Sequence, residues 1–378
     1  MIKFFSTRIG AEELDAMKRV IDSDWYGNGE ETKRFEKEMS KKFGSPYVLY
    51  VNSCTSALYV ALRCLNIGVG KEIIIPTIHF PGALNAILLC GLIPKYADVD
   101  RATLNILPSE ITRLMSECTA AVMLLHYGGH SCPMNEIRDV SKGIHIIEDN
   151  ANSPSSKYYG KNCGTMGDIG CWSFDAMKIM TTIDGGALTF NDKKLYEKAK
   201  VLRYFGFNSD SMSGFSAMRD GRGKWWDMDL EEESLRFISN DLLAGIGRVQ
   251  LQKLDSFIAK RKEIWSRYQK EFEKLDWLMC PLEPLEGTES SYYLYWLTME
   301  EKIRDIFAKY LIEKEIYCTF KYVPLHKMLY YSKNAGGKYC NLLNAEEISR
   351  TTLNIPIHQY LTEEELEHII KSVKEFTP

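Results

Sequence analysis

The 378-residue chain has no apolar run close to the roughly 20 residues that a membrane-spanning helix requires. Its first residues, Met1-Ile-Lys-Phe-Phe-Ser, lack the apolar stretch of a secretory leader. Positive charge is not in excess. Lys and Arg number 47 against 51 Asp and Glu, so no basic footprint argues for a nucleic-acid partner. Ten cysteines are scattered from Cys54 to Cys340 without a Cys-x-x-Cys pair. The expectation is free thiols in a reducing cytoplasm, with Cys163 and Cys171 structural. No internal repeat or low-complexity tract is present. Gly160, Gly164, Gly167 and Gly170 do not make a Gly-x-Gly-x-x-Gly turn after a strand, which counts against a dinucleotide site. His126 and His130 have the spacing of a metal-binding pair. Two glycines and a preceding strand deny them the helix that this spacing needs, so no metal is expected.

What is there is ordinary globular material, 45% hydrophobic and long enough for one large core and a smaller second one. Short apolar runs at 47–51, 72–76, 94–98, 120–125 and 144–148 alternate with helical patterns at 55–65, 82–90, 108–117 and 134–141. This alternation predicts an α/β fold with a mainly parallel sheet sandwiched by helices. Ligands of such sheets bind beyond the carboxyl ends of the strands. From residue 242 the character changes. A long charged helix over 242–272, a strand over 293–299, and helices over 302–314 and 363–376 predict a smaller C-terminal α+β domain. The expected division is a large domain over 1–241, then a linking helix and small domain over 242–378. The irregular stretch 205–235, with Trp225-Trp226, reads either as a functional lid or as a surface insertion.

The most informative stretch is Ser173-Phe-Asp-Ala-Met-Lys178-Ile-Met-Thr181-Thr182-Ile-Asp184-Gly185-Gly186. One lysine sits among hydroxyl residues, 29 residues after Asp149. Alone, Lys178 is no different from a solvated lysine. Together with an upstream carboxylate and a hydroxyl cluster it has the parts that hold pyridoxal 5′-phosphate (PLP). The lysine amine makes the Schiff base, the acid holds the pyridinium nitrogen, and hydroxyls and backbone amides hold the phosphate. Asp149 ends a buried strand and suits the nitrogen, and Asn152 could donate to the phenolic oxygen. Phe80 follows the 72–76 strand, where it could stack on the ring or join the core. The turn Asn52-Ser-Cys-Thr55-Ser56 joins a strand to a helix. It admits plain capping by Ser53 or Thr55, or a phosphate seat at the helix N-terminus. Ser173 could bind phosphate as well. A free lysine has a pKa near ~10.4, so Lys178 is expected to need depression by burial and a positive neighbour.

The chain resembles the DegT/DnrJ/EryC1/StrS sugar aminotransferases of PLP fold type I over nearly its whole length. Matching stretches follow in order: Trp25-Tyr-Gly-Asn-Gly29, Asn52-Ser-Cys-Thr-Ser-Ala-Leu58, Pro76-Thr-Ile-His-Phe80, Glu148-Asp-Asn-Ala151, Ser173 to Gly186, Asn240-Asp241 and Tyr322-Val-Pro-Leu-His326. The resemblance implies that Lys178 binds the cofactor covalently, that Asp149 pairs with its ring nitrogen, and that Thr55, Ser56 and Ser173 hold its phosphate. It also implies a homodimer with shared sites. Arg236 falls where the family has Asn or Lys reaching a neighbour's phosphate. Asn152 stands where His or Gln is usual, Asp175 where His is common, Ile183 at a glycine position, and Asp184 at a glutamate position. Asp175, Tyr322 and His326 are expected to face substrate. The implied reaction moves an amino group from L-glutamate to a keto group of a nucleotide-linked sugar, with PLP and its amine form alternating. Alternatives are a small phosphorylated ketone such as dihydroxyacetone phosphate as acceptor, or a PLP-binding regulatory protein without turnover.

Overall fold

A computed structural model of the chain describes residues 1–207 and 229–378. Most of the 205–235 stretch, with Trp225-Trp226, lies outside the described residues. The strands in chain order are β1 (Tyr47–Val51), β2 (Glu72–Pro76), β3 (Ile93–Ala97), β4 (Thr119–Leu125), β5 (His145–Asp149), β6 (Lys157–Tyr158), β7 (Lys161–Asn162), β8 (Ile169–Ser173), β9 (Gly186–Phe190), β10 (Leu278–Met279), β11 (Thr288–Glu289), β12 (Tyr295–Met299) and β13 (Thr352–Ile355). Helices flank the large sheet: α1 (Ala11–Ile21), α2 (Glu30–Phe43), α3 (Cys54–Cys64), α4 (Pro81–Leu89), α5 (Pro108–Leu114), α6 (Met134–Val140), α7 (Lys193–Arg203) and α8 (Asp241–Phe272).

Among the described residues, one seven-stranded sheet has the order β1-β9-β8-β5-β4-β2-β3. Every pairing in it is parallel except the two made by β9. The reversal brings the start of β9, Gly186, to the same edge as the carboxyl ends of β1 and β8. Strands β10, β12 and β13 form a separate antiparallel sheet, and β11, β6 and β7 a short ribbon.

The strands read as continuous apolar runs because both sheet faces are covered. Side chains alternate between the faces. Ile73, Ile75, Met123, Leu125 and Ile147 join one core with Leu58 and Leu62 of α3 and Leu84 and Ile87 of α4. Ile74, Val122, Leu124 and Ile146 join the other with Ile111 of α5 and Ile137 of α6. Each such fully buried side chain stabilises the fold by about 1.5–3 kcal/mol.

Helix α8 starts at Asn240, whose side chain accepts the Leu243 N–H at 3.0 Å. The next residue, Asp241, is buried and reaches across to the start of α2. Its carboxylate accepts the backbone N–H groups of Gly29 (2.8 Å), Glu31 (3.1 Å) and Thr32 (3.0 Å), and the Thr32 hydroxyl (2.7 Å). It thereby serves donors that the helix itself cannot satisfy. Asp241→Ala should lower unfolding free energy by about 2–3 kcal/mol, with Asp241→Asn recovering part of it, as read from urea denaturation midpoints.

Candidate active site

A cavity of about 210 Å³ opens at this carboxyl edge. Its wall includes eight of the residues expected at the site: Thr55, Phe80, Asp149, Asn152, Ser173, Asp175, Lys178 and Tyr322. The phosphate-seat candidates gather where β1, β8 and β9 converge. Ser53 caps α3, accepting the Ser56 N–H at 3.1 Å. Gly186 lies against this turn. A Cβ there would sit 2.4 Å from the Ser53 carbonyl carbon and 2.5 Å from the Cys54 nitrogen, so only glycine lets β9 approach. Ser56 does not join the wall: its hydroxyl lies 2.9 Å from that of Ser53.

Asp149 is buried at the end of β5. One carboxylate oxygen accepts the Ala151 N–H at 2.9 Å, and the other lies 3.7 Å from Nε2 of His79. Nδ1 of His79 accepts the Phe80 N–H at 2.9 Å, which leaves the ring proton on Nε2, facing Asp149. Burial lowers the His79 pKa despite Asp149, so the ring is neutral near pH 7. Asp149 is thus a buried carboxylate without a cation in hydrogen-bond contact among the described residues. The Cys54 thiol, 3.9 Å away, is held far from ionisation by burial and by Asp149.

Nζ of Lys178 lies 3.4 Å from the Tyr293 hydroxyl and 4.9 Å from its ring centroid. The expected depression of its pKa is not found. Burial acts to lower it, but Tyr293, Tyr322, Cys54 and Asp149 outweigh burial and hold it above the ordinary lysine value. Depression is therefore not a property of the chain alone. Tyr322 receives the Asn152 amide at 3.4 Å and sits edge-on to Phe80, ring centroids 5.9 Å apart. Its own hydroxyl is pushed up to about 12 by burial, with Lys178 opposing. Phe80 is 56% exposed, so it overhangs the cavity and does not join the core.

Two other expected residues lie elsewhere. His326 is a buried core histidine tied to the Thr77 hydroxyl (2.7 Å) and to Glu346 (3.2 Å), which accounts for both ring nitrogens. It does not line the cavity. Arg236 is exposed, pairs with Tyr204 through the backbone, and does not line its own chain's cavity. Tyr293 and Lys321 were not expected as site residues, whereas His79 falls with Phe80 among the candidates beyond the 72–76 strand, without a role assigned to it. His79 carried a usable signal, since it follows a strand end. Tyr293 and Lys321 carried none, because they reach Lys178 from more than 100 residues away in sequence.

The model of the DegT/DnrJ/EryC1/StrS aminotransferase family matches residues 7–374. The chain belongs to this aminotransferase family. It is 38% identical over 370 residues to the dTDP-4-dehydro-2,3,6-trideoxy-D-glucose 4-aminotransferase of Saccharopolyspora spinosa, covering 97% of this chain and 94% of that one. Among solved structures it is similar to the aminotransferase TlmJ of Streptoalloteichus hindustanus, with a TM-score of 0.91, 37% identity, and 99% and 98% of the two chains covered. It is also similar to the putative sugar aminotransferase Spr1654 of Streptococcus pneumoniae in its PMP form, with a TM-score of 0.92, 25% identity, and 99% and 98% covered.

Three departures of this aminotransferase from its family pattern, Asn152, Asp175 and Asp184, line the cavity. A fourth, Ile183, has a φ of +72°, in the left-handed region that suits glycine. The Thr181 hydroxyl holds it there by accepting its N–H at 2.7 Å. Ile183→Gly is expected to raise unfolding free energy by up to about 1 kcal/mol, the relief of left-handed strain less the entropy that glycine adds to the unfolded chain. Thermal unfolding of both forms checks this. On the far face of the sheet, Glu148 is buried and takes His126 Nε2 at 2.9 Å and the N–H groups of Gly164 (2.7 Å) and Met166 (2.6 Å). Burial works to raise its pKa, but His126 and the backbone donors outweigh this and hold it below the ordinary carboxylate value.

Proposed function

We propose that this protein is a PLP-dependent aminotransferase that moves an amino group from L-glutamate to a keto group of a nucleotide-linked sugar. The observation that carries the reading is Lys178 and Asp149 in one cavity, with no carboxylate in contact with the amine and no cation in contact with the buried carboxylate among the described residues. These unmet groups fit the aldehyde and the protonated ring nitrogen of PLP. When bound, PLP supplies an electron sink that lets a proton leave the carbon bearing the amine. Asp149 would keep the ring nitrogen protonated, with the Nε2 proton of His79 behind it. Ser53, Thr55, Ser173 and the free N–H groups at the start of α3 would hold the phosphate. Phe80 would cover the ring. Nζ of Lys178 would take up and return the proton that leaves the carbon bearing the amine.

The sugar substrate is supported by family membership and by the S. spinosa relative, named for a dTDP-linked keto sugar. The cofactor is supported by the S. pneumoniae structure, described in a PMP form. Exposed Arg236, outside its own cavity, supports a homodimer in which it serves the partner's site. The separate β10-β12-β13 sheet supports a second domain after residue 241. No helix among the described residues is long and apolar enough to cross a membrane. Ten cysteines without a disulfide support a reducing cytoplasm. Borohydride reduction of the purified protein, followed by peptide mapping, should place the cofactor on Lys178. A label on any other lysine, or none, would sink the assignment. A panel of keto sugars linked to different nucleotides, with dihydroxyacetone phosphate alongside, then identifies the acceptor by the mass of the aminated product.

A further inference from the structure

Arg261, in the middle of α8, is 1% exposed, and among the described residues no carboxylate pairs with it. A buried cation without a counter-charge is costly unless oxygens surround it. Four oxygens do. Nε donates to Oε1 of Gln359 at 2.9 Å, and Nη1 donates to the carbonyls of Ile357 (2.9 Å), Tyr292 (3.1 Å) and Tyr293 (3.3 Å). Burial pulls the guanidinium's pKa down to about 9, so the group stays charged near pH 7.

Two of these acceptors lead to Lys178. The amide of buried Gln359 can face only one way, because a guanidinium donates and never accepts. Its oxygen therefore meets Arg261, and its NH2 group donates to the Ile179 carbonyl at 2.9 Å. Ile179 follows Lys178 in the chain, and its own side chain is buried. On the other side, the residue whose carbonyl Arg261 holds, Tyr293, is the one whose hydroxyl meets Nζ of Lys178 at 3.4 Å. Tyr292 before it has a φ of +52°, a left-handed conformation that an aromatic residue keeps only where its surroundings hold it. Arg261 holds that carbonyl too. One guanidinium thus ties down the main chain behind both partners of the Lys178–Tyr293 contact. It does so from a helix with no residue in the cavity wall, and Gln359 is absent from that wall as well.

We propose that Arg261 and Gln359 are positioning residues for Lys178: they set the reach and direction of its amine against Tyr293, and so the rate at which it moves a proton. The inference rests on Lys178 being the cofactor lysine, as proposed above.

The test uses the PLP-loaded enzyme, and Gln359→Glu is the deciding variant. The carboxylate can still accept from Arg261 and gives it a counter-charge, so the melting temperature should stay nearly unchanged. It cannot donate to the Ile179 carbonyl. The half-reaction with glutamate, followed by rapid mixing, should slow by about tenfold or more at saturation, while the glutamate concentration for half-maximal rate moves by less than about threefold. The absorbance band of the bound cofactor should shift as well, because the lysine that holds it is turned. Arg261→Lys keeps the charge and loses the fork, and should show the same split and the same spectral change. A Gln359→Glu enzyme with the wild-type rate and spectrum overturns the proposal. So does a slower rate matched by a fall in melting temperature, which makes the pair a structural staple, or a higher glutamate requirement without slowing, which makes it a binding effect. Borohydride mapping of the wild type separates the two readings. Label on Lys178 beside an unaltered Gln359→Glu enzyme removes this inference alone, and label elsewhere or none removes the cofactor assignment with it.

Discussion

Lys178→Arg is expected to lower transamination by about 10³-fold or more while leaving the melting temperature nearly unchanged. The reasoning separates charge from chemistry. Among the described residues, Nζ of Lys178 makes a long 3.4 Å contact with the Tyr293 hydroxyl and a contact with its ring, and arginine can keep both the positive charge and the ring contact. A guanidinium neither bonds to an aldehyde nor gives up a proton near neutral pH. The variant should therefore still take up cofactor, because the phosphate seat is untouched, but release it to dialysis and resist fixation by borohydride. Steady-state rates with glutamate, together with cofactor retention after reduction, check this. Retention of substantial turnover would remove Lys178 from the reaction.

Asp149→Asn is the second large effect, a fall of about 10²–10³ in the rate of the proton-transfer step. Asparagine keeps the side chain's shape and can keep the acceptor for the Ala151 N–H. It removes only the charge that would hold the ring nitrogen protonated. Stability should hold or rise, because among the described residues no cation is in hydrogen-bond contact with the buried carboxylate and the imidazole 3.7 Å away is neutral. Rapid-mixing measurements of the half-reaction with glutamate, beside urea unfolding, separate the two properties. Loss of activity accompanied by loss of folding would make Asp149 a structural residue.

Five of the seven strands of the large sheet, β1 to β5, were legible because each is a short apolar run between helical patterns, whereas β8 and β9 were not predicted. Tyr47–Val51 and Glu72–Pro76 have the predicted limits, while β3 lies one residue earlier at both ends, β4 starts one residue early, and β5 lies one residue later at both ends. Helix α8 was legible from its length and periodicity. The direction of β9 was not, since an apolar pentapeptide carries no sign of which way it runs. The same division holds at the site. Lys178, Asp149, Ser173 and Thr55 sit just beyond or at strand ends, where local pattern points to ligands. Tyr293 and Lys321 reach the cavity from segments whose place depends on packing of the whole chain. His326 looked like a site residue because it closes a motif, yet the bonds to Thr77 and Glu346 make it part of the core.

Glu148 and Asp149 are adjacent in sequence, but the pleat of β5 sends them to opposite sides of the sheet. One grips the 164–167 turn and His126 beneath; the other presents an oxygen above. The strand is thus a lever with its fulcrum in the backbone, and the height of the acceptor in the cavity is set from outside the cavity. Variation in what the enzyme accepts has somewhere else to occur: Asp175, Asp184 and Lys321 line the open side and leave that lever at rest.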